Sequence, residues 1–456
     1  LVDIVYLDSI EIYTWQKPTV DNSHQLIFGL ADPVLSSNFI KLTKGDWLLD
    51  ITSPLSPTVV KNETQVDSSA HLFLAAKPAA IPKINSLQPI TFNQKDVPMA
   101  HQKADYLVIG PQDLLTPLEP ILEKRRSEGL TVETQDVFPI YNRYGGYPEA
   151  QAIRHYLQEV SAINPKLKYV LMVGDYTYDP KGWTNETTKN RLPTFFIHTL
   201  YGGQTSSELP FGVLTPANLD FLAKSDRYDI NLAVGRLPAE NRQQVDNWVK
   251  KMLVYEEREP SQTATKVVAV ADPQGDMFAA DAQSFLELWN VGVQKELFTP
   301  PAGTTDAANT ISGYFQSGTT IMAYFGHGSI EMWGKDQLFN STEAAKLSNS
   351  PAFPLVIQMT CLSGYYIHPK IESISEELLW NPNGGTVILI APSSLTLPND
   401  QGFLTKSFVE HYQKAKHDRI GDIWMQTIRE INLNSQGVRD VLATYTLLGD
   451  PTLIIK

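Results

Sequence analysis

A chain of 456 residues, 42% hydrophobic and 19% charged, has a globular composition and is too long for one ordinary core, so two or three domains are expected. A formal charge of −13 with no cluster of Lys and Arg excludes nucleic acid as a partner, because polyanion binding needs clustered cations to release counterions. No apolar stretch approaches the roughly 20 residues of a membrane span, so no transmembrane segment is expected, and the single cysteine excludes an internal disulfide framework and any multi-cysteine metal site.

Residues 1 to about 80 read as short strands separated by turns: "DIVYLDSIEIYTW", "HQLIFGL", "FIKLTKGDWLLDIT" and "SAHLFLAA". No helical period interrupts them, which predicts a small all-β domain. The Pro-rich stretch "KPAAIPKINSLQPITFNQKDVPMAHQKA" then reads as a linker or strap, so a β-rich domain with its linker is placed at 1–100.

Strands and helices alternate from there on. "DYLVIG" predicts a buried strand and "PLEPILEKRRSEG" a helix ending at Gly129. "TVETQDVFPI" predicts a strand, "PEAQAIRHYLQEVSAI" a helix and "KYVLMVGD" a third strand. "INLAVGRLPA" leads into the helix "RQQVDNWVKKMLVYEERE", closing a first α/β subdomain over 101–260. A second, over 261–456, repeats the plan: strand "KVVAVAD", helices "DAQSFLELWN" and "AANTISGYFQSG", strand "TTIMAYFG", short helix "EAAKLSN", strands "FPLVIQMT" and "GGTVILIAPSS", and helices "FLTKSFVEHYQKA" and "IGDIWMQTIREIN". This alternation implies right-handed crossovers and a mostly parallel sheet. "LLGDP", with Gly449 and Asp450, reads as a turn leading into the final strand.

Two of these strand-like runs end in residues able to take part in nucleophilic chemistry. "IMAYFGHGSI" stops at His327, and 34 residues later "PLVIQMTCLSG" stops at Cys361, the only cysteine. Sites on open parallel sheets form at the carboxyl ends of strands, where backbone groups are freed to contact a ligand. If the two strands are neighbours, an imidazole and a thiol meet there, the simplest pair for acyl transfer. Gly326 and Gly328 leave room for substrate backbone, and the amides of Gly328 and Cys361 are placed to receive an oxyanion. The residues alone equally admit an inert core thiol and a structural histidine. Asp175 and Asp272 stand at strand ends, where they could cap helices, line a cleft or bind calcium. His368 is too close in sequence to Cys361 to be the preferred base.

"YFGHGSIEMW" and "QMTCLSGYY" resemble the His and Cys motifs of gingipain-type cysteine peptidases, relatives of the caspases. "ADYLVIG", "PIYNRYGGYPEAQAIRHYL", "YVLMVGD", "LAVGRLPAE" and "YTLLGDPTLIIK" agree in order, over about residues 104–456, and the β-rich start is similar to the domain that precedes the peptidase in some members. The resemblance implies a caspase-like α/β fold and endopeptidase activity through Cys361 as nucleophile and His327 as general base and acid, with Gly328 and Cys361 as oxyanion hole. It implies Glu208, before Phe211 and Gly212 in "SSELPFGVLT", as a pocket carboxylate for a basic P1 side chain (the residue before the scissile bond); a solvated loop glutamate is the competing reading. Trp333 is read as packing beside the catalytic loop or forming an apolar pocket wall. The loop ahead of Glu208 is longer here than in gingipains, and no acidic residue is assigned to orient His327.

No cofactor is required by this chemistry. A structural calcium ion is admitted by the resemblance, although no contiguous Asp-rich loop marks a site. Protein or peptide substrates and a secreted or cell-surface location are expected. The 30 prolines, the many Asn, Thr and Ser residues and a start at Leu1, read as a processed one, lean the same way. A sortase-like transpeptidase uses the same thioester chemistry, and a non-catalytic surface scaffold is the reading that dispenses with it.

Overall fold

The computed structural model describes residues 26–30, 46–51, 57–60, 71–81 and 100–455, the last range apart from 186–187, 217, 259–264, 302, 305 and 416–417. The chain forms two compact units, Leu1–Thr91 and Phe92–Lys456. In the first, β1 (Leu26–Leu30), β2 (Trp47–Asp50), β3 (Thr58–Val59) and β4 (His71–Ala76) make an antiparallel sheet in the order β1-β4-β2-β3. The strand expected over 3–15 and the strap over 82–99 lie outside the described residues.

The second unit is built on one ten-stranded sheet. Residues 101–260 supply β5 (Tyr106–Gly110), β6 (Val132–Asp136), β7 (Tyr169–Val173), a separate hairpin of β8 (Phe195–Thr199) and β9 (Gly203–Ser207), and β10 (Ala233–Leu237). Residues 261–456 supply β11 (Lys266–Ala271), β12 (Gln294–Phe298), β13 (Ile321–Phe325), the small pair β14 (Met332–Trp333) and β15 (Phe339–Asn340), β16 (Leu355–Met359), β17 (Leu389–Pro392) and β18 (Tyr445–Leu448). The order is β12-β11-β13-β16-β17-β18-β10-β7-β5-β6, mostly parallel, with β18 antiparallel to β17 and joined to β10 through the bridge Arg236–Leu448. Both expected α/β stretches thus contribute to a single caspase-like sheet flanked by helices.

Local chemistry explains the elements and the misreadings. The central strands β5, β7, β13, β16 and β17 are buried at every position, matching their continuous apolar runs. The strand expected over 131–140 stops at Asp136, whose side chain accepts the Phe138 N–H and caps the helix Val137–Tyr144. Helix Arg242–Glu257 opens with a capping box between Asn241 and Gln244. "LLGDP" follows the last strand instead of leading into it: β18 ends at Leu448, and the Asp450 carboxylate turns inward to the buried Arg125 guanidinium at 3.0 Å.

Candidate active site

Four adjacent strands build the site from their carboxyl ends. β11 pairs with β13 up to Ala271–Phe325, β13 with β16 up to Phe325–Met359, and β16 with β17, all in parallel. The β13–β16 ladder closes at Phe325–Met359 with the Gly326 N–H donating to the Met359 carbonyl (3.2 Å), and His327 and Cys361 each follow two residues past that last pair on neighbouring strands.

Glycine is required at both positions flanking the histidine, for space. A side chain at Gly326 would run into Asp272 and the Tyr324 hydroxyl, and a Cβ at Gly328 would stand 2.9 Å from the Cys361 carbonyl oxygen and closer still to Thr360 Oγ1. The loop after His327 folds back as a turn: Gly334 N–H donates to His327 O (2.8 Å) and Ser329 N–H to Met332 O (3.0 Å), around the bridge Gly328–Trp333. A bridge flanked in this way leaves the Gly328 N–H out of the ladder.

Asp272 organises this loop, a role that sequence reading missed. It is buried at the end of β11; Oδ2 accepts the His327 N–H (3.1 Å) and Oδ1 the Gln274 N–H (2.9 Å). The imidazole has a backbone hydrogen bond at Gln274 and packs edge-on against Phe278, with ring centroids 5.0 Å apart. Partial burial pushes the His327 imidazole below its usual range, and Lys335 pushes the same way; Asp272 and the Gln274 bond pull it back up.

The partly exposed Cys361 thiol donates to the Thr396 carbonyl at 3.6 Å. Burial raises it above the ordinary thiol range. The surrounding carbonyls are fixed from the next segment: Gln401 Nε2 donates to Thr360 O (3.1 Å) and Thr396 Oγ1 (2.8 Å), and Thr396 Oγ1 donates to Thr360 O (3.1 Å). Leu362, directly after the nucleophile candidate, lies in the left-handed region at φ 57°, and its N–H donates to Ser394 O (3.1 Å). A non-glycine residue held there stores strain at a functional edge.

His327, Gly328 and Cys361 share this edge, and two other residues picked from sequence do not. Trp333 is fully buried beneath the loop, stacked on Tyr324 with centroids 4.7 Å apart and its Nε1 donating to Gln358 Oε1 at 2.7 Å. It braces the loop and forms no pocket wall. Glu208 is neither a free pocket carboxylate nor a solvated one. It is buried, meets Arg236 Nη1 at 3.1 Å, and accepts from Thr194 Oγ1 (2.6 Å) and the Tyr366 hydroxyl (2.5 Å).

Asp175, Glu372 and Glu376 converge on Lys189 Nζ at 3.3, 2.8 and 3.7 Å, three carboxyl groups around one ammonium, and burial pushes Asp175 and Glu376 well above the usual carboxylate range. Among the described residues no group of three or more His, Cys, Asp or Glu is arranged to hold a metal ion. His368 accepts the Lys370 and Ile371 N–H groups at Nδ1 and stands edge-on to Tyr178.

A cavity of about 210 Å³ lies between helices Asp276–Glu287 and Pro398–Lys414, lined by Asp281 and Phe285 of the first and Leu288 just after it, by Phe325 of β13, and by Pro398, Gln401 and Lys406 of the second. Burial alone raises the Asp281 carboxyl above its usual range.

The family model for Peptidase family C25 matches residues 99–456, a span that holds this whole edge. The chain belongs to peptidase family C25. Gingipain R2 of Porphyromonas gingivalis strain W83 is 21% identical over 370 residues, covering 77% of this chain and 46% of the relative. Among solved structures, the complex of Porphyromonas gingivalis RgpB pro- and mature domains superposes with a TM-score of 0.60 at 18% identity, over 77% of this chain and 79% of that one. The Arg-specific cysteine proteinase gingipain R gives the same TM-score and identity over 78% and 79%. At that identity the superpositions establish the C25 fold, and the chain spans less than half the length of the curated C25 relative. Among the described residues no helix is long and apolar enough to cross a membrane.

Proposed function

We propose that this C25 member is a cysteine endopeptidase in which Cys361 attacks the scissile carbonyl and His327 first takes the thiol proton and then delivers it to the leaving amine. The observation that carries this reading is the β13–β16 register, which ends two residues short of an imidazole on one strand and a thiol on its neighbour. The chemistry balances without a cofactor. The sulfur–carbon bond forms as the thiol proton passes to His327 Nε2 or Nδ1, the peptide nitrogen leaves with that proton, and water resolves the thioester. The Gly328 N–H, free of the turn ladder, is available with the Cys361 N–H for the tetrahedral oxyanion.

Asp272 acts as a positioning residue. It fixes the main chain at His327 and Gln274 and opposes the burial that would leave the imidazole a weak base. Asp272→Ala is expected to lower kcat about 10- to 100-fold with KM little changed, and to move the acid limb of the pH profile further down, since the carboxylate raises the His327 pKa. Asp272→Asn, which keeps an acceptor for the His327 N–H, should recover part of the rate. Equal losses in both variants with an unmoved acid limb would remove Asp272 from this role.

Cys361 is raised and His327 lowered, so at neutral pH both groups rest neutral and the imidazole acts as a general base; a preformed thiolate–imidazolium pair is not expected. Alkylation of Cys361 by iodoacetamide should therefore climb with pH through a midpoint above about 8.5, the free-thiol value. A plateau at neutral pH would contradict this resting state.

The reading extends to a basic P1 residue, with Asp281 replacing Glu208 as the recognising carboxylate. The cavity is the size of one long side chain, has mostly apolar walls, and carries a carboxylate whose desolvation a cationic side chain would relieve in competition with Lys406, which also lines it. Asp281→Ala should cut kcat/KM for Arg or Lys substrates by about 10²-fold or more while sparing substrates with uncharged P1 residues. An unchanged P1 profile would reject Asp281. Protein or peptide substrates and a secreted or cell-surface setting belong to the same proposal.

A further inference from the structure

The hairpin β8–β9 lies in the stretch ahead of Glu208, and its tip is tied to the segment that follows β17. Thr199 Oγ1 is 2.9 Å from Ser394 Oγ, Ser393 Oγ donates to Ser206 O at 2.7 Å, and Thr205 Oγ1 donates to Ser393 O. A Cβ on Gly202 would stand 3.1 Å from the Leu395 nitrogen, so only glycine lets the tip sit this close. The Leu200 N–H is fastened from below by Asp440 Oδ2 at 2.6 Å.

The partner segment is the one that touches the nucleophile. Ser394 O accepts the Leu362 N–H and Thr396 O accepts the Cys361 thiol. Hairpin tip, Ser394–Leu397 and Cys361 therefore form one connected ledge. Its outward side chains are apolar: Leu200 is 58% exposed, Tyr201 47%, Leu395 36% and Leu397 44%. Residues 199–203 and 393–397 hold no charged side chain. Large apolar groups left in water next to the candidate nucleophile mark a surface that something covers.

Strand order says what covers it. His327 stands on β13, on one side of β16, and delivers its proton to the leaving amine there. The ledge hangs on β17, on the other side of β16. Chain on the acyl side of the scissile bond is thus directed over the ledge. An extended chain advances about 3.3 Å per residue, so the two residues that precede P1 pass over the ledge between the hairpin tip and Leu395–Leu397.

Resting on the peptidase reading, we infer that Leu200 and Tyr201 at the hairpin tip, together with Leu395 and Leu397, form a subsite that selects apolar side chains at P2 and P3 of a peptide substrate. The tip meets this segment at Ser394 and not at Cys361 itself, so its loss should alter selection and leave the thiol untouched.

The test compares the protein with the double variant Leu200→Ser/Tyr201→Ser on peptides that share the best P1 residue and carry Leu, Phe, Ser or Gly at P2 and P3. The protein should favour Leu and Phe, and the variant should lose about 5- to 20-fold in kcat/KM on those peptides, mainly through KM, with Ser and Gly peptides unchanged. Iodoacetamide should alkylate Cys361 equally fast in both. No apolar preference in the protein, or the same preference in the variant, overturns the subsite. Absence of Cys361-dependent cleavage from the protein itself is a separate result that overturns the peptidase reading and the subsite with it.

Discussion

Replacing Glu208 by alanine is expected to destabilise the α/β unit by about 3–5 kcal/mol, the cost of leaving a buried guanidinium without its counter-charge. Arg236 is fully buried, and its other hydrogen-bond and ring partners are neutral: the Gly174 carbonyl at 2.8 Å, the Leu192 carbonyl, and the face of Tyr366 with its centroid at 4.9 Å, with the buried Asp175 carboxyl the further acidic group that acts on it. Glu208→Gln keeps acceptors for Thr194 and Tyr366 and should lose less. Chemical denaturation followed by tryptophan fluorescence reads both. An alanine variant within about 0.5 kcal/mol of the parent, the usual range for surface substitutions, would mean that the carboxylate is not the structural partner inferred here. The cluster also bears on activity, because Tyr366 lies five residues past Cys361 and is held by this carboxylate.

His327→Ala is expected to lower kcat by about 10³- to 10⁶-fold with folding intact, and His327→Ala/Cys361→Ala to be no worse than the poorer single variant, because a nucleophile and its base fail as a unit. Partial exposure of His327 makes the folding clause reasonable: its main-chain bond to Asp272 and the turn bond to Gly334 survive truncation of the ring. Multiplicative losses in the double variant would show that the two residues act independently.

The elements around the candidate site were legible because their signals are local. Apolar runs ending at His327 and Cys361 predicted neighbouring strands, and the sheet order bears that out. What stayed hidden depends on partners distant in sequence. Asp272 was visible as a strand end, but its contact with His327 arises from the β11–β13 register across 55 residues. Asp281 sits within a helix recognised by its apolar stripe, so the polar position facing the cavity drew no notice. Glu208 was assigned from its place before "PFG", while its environment is set by Arg236, whose own burial no local pattern announces. The hairpin β8–β9 was missed because "FFIHTLYGGQTSS" alternates weakly and pairs only with itself. β12, an edge strand of mostly exposed or half-buried residues, lacks the apolar run that revealed its neighbours.

The most direct measurement is cleavage of a mixed peptide library by the protein and by Cys361→Ala, reading the residue before each cut. The account predicts cuts after Arg or Lys that disappear in the Cys361→Ala protein. Cuts that persist in that variant, or a folded parent protein whose thiol alkylates but which cuts nothing, would contradict it.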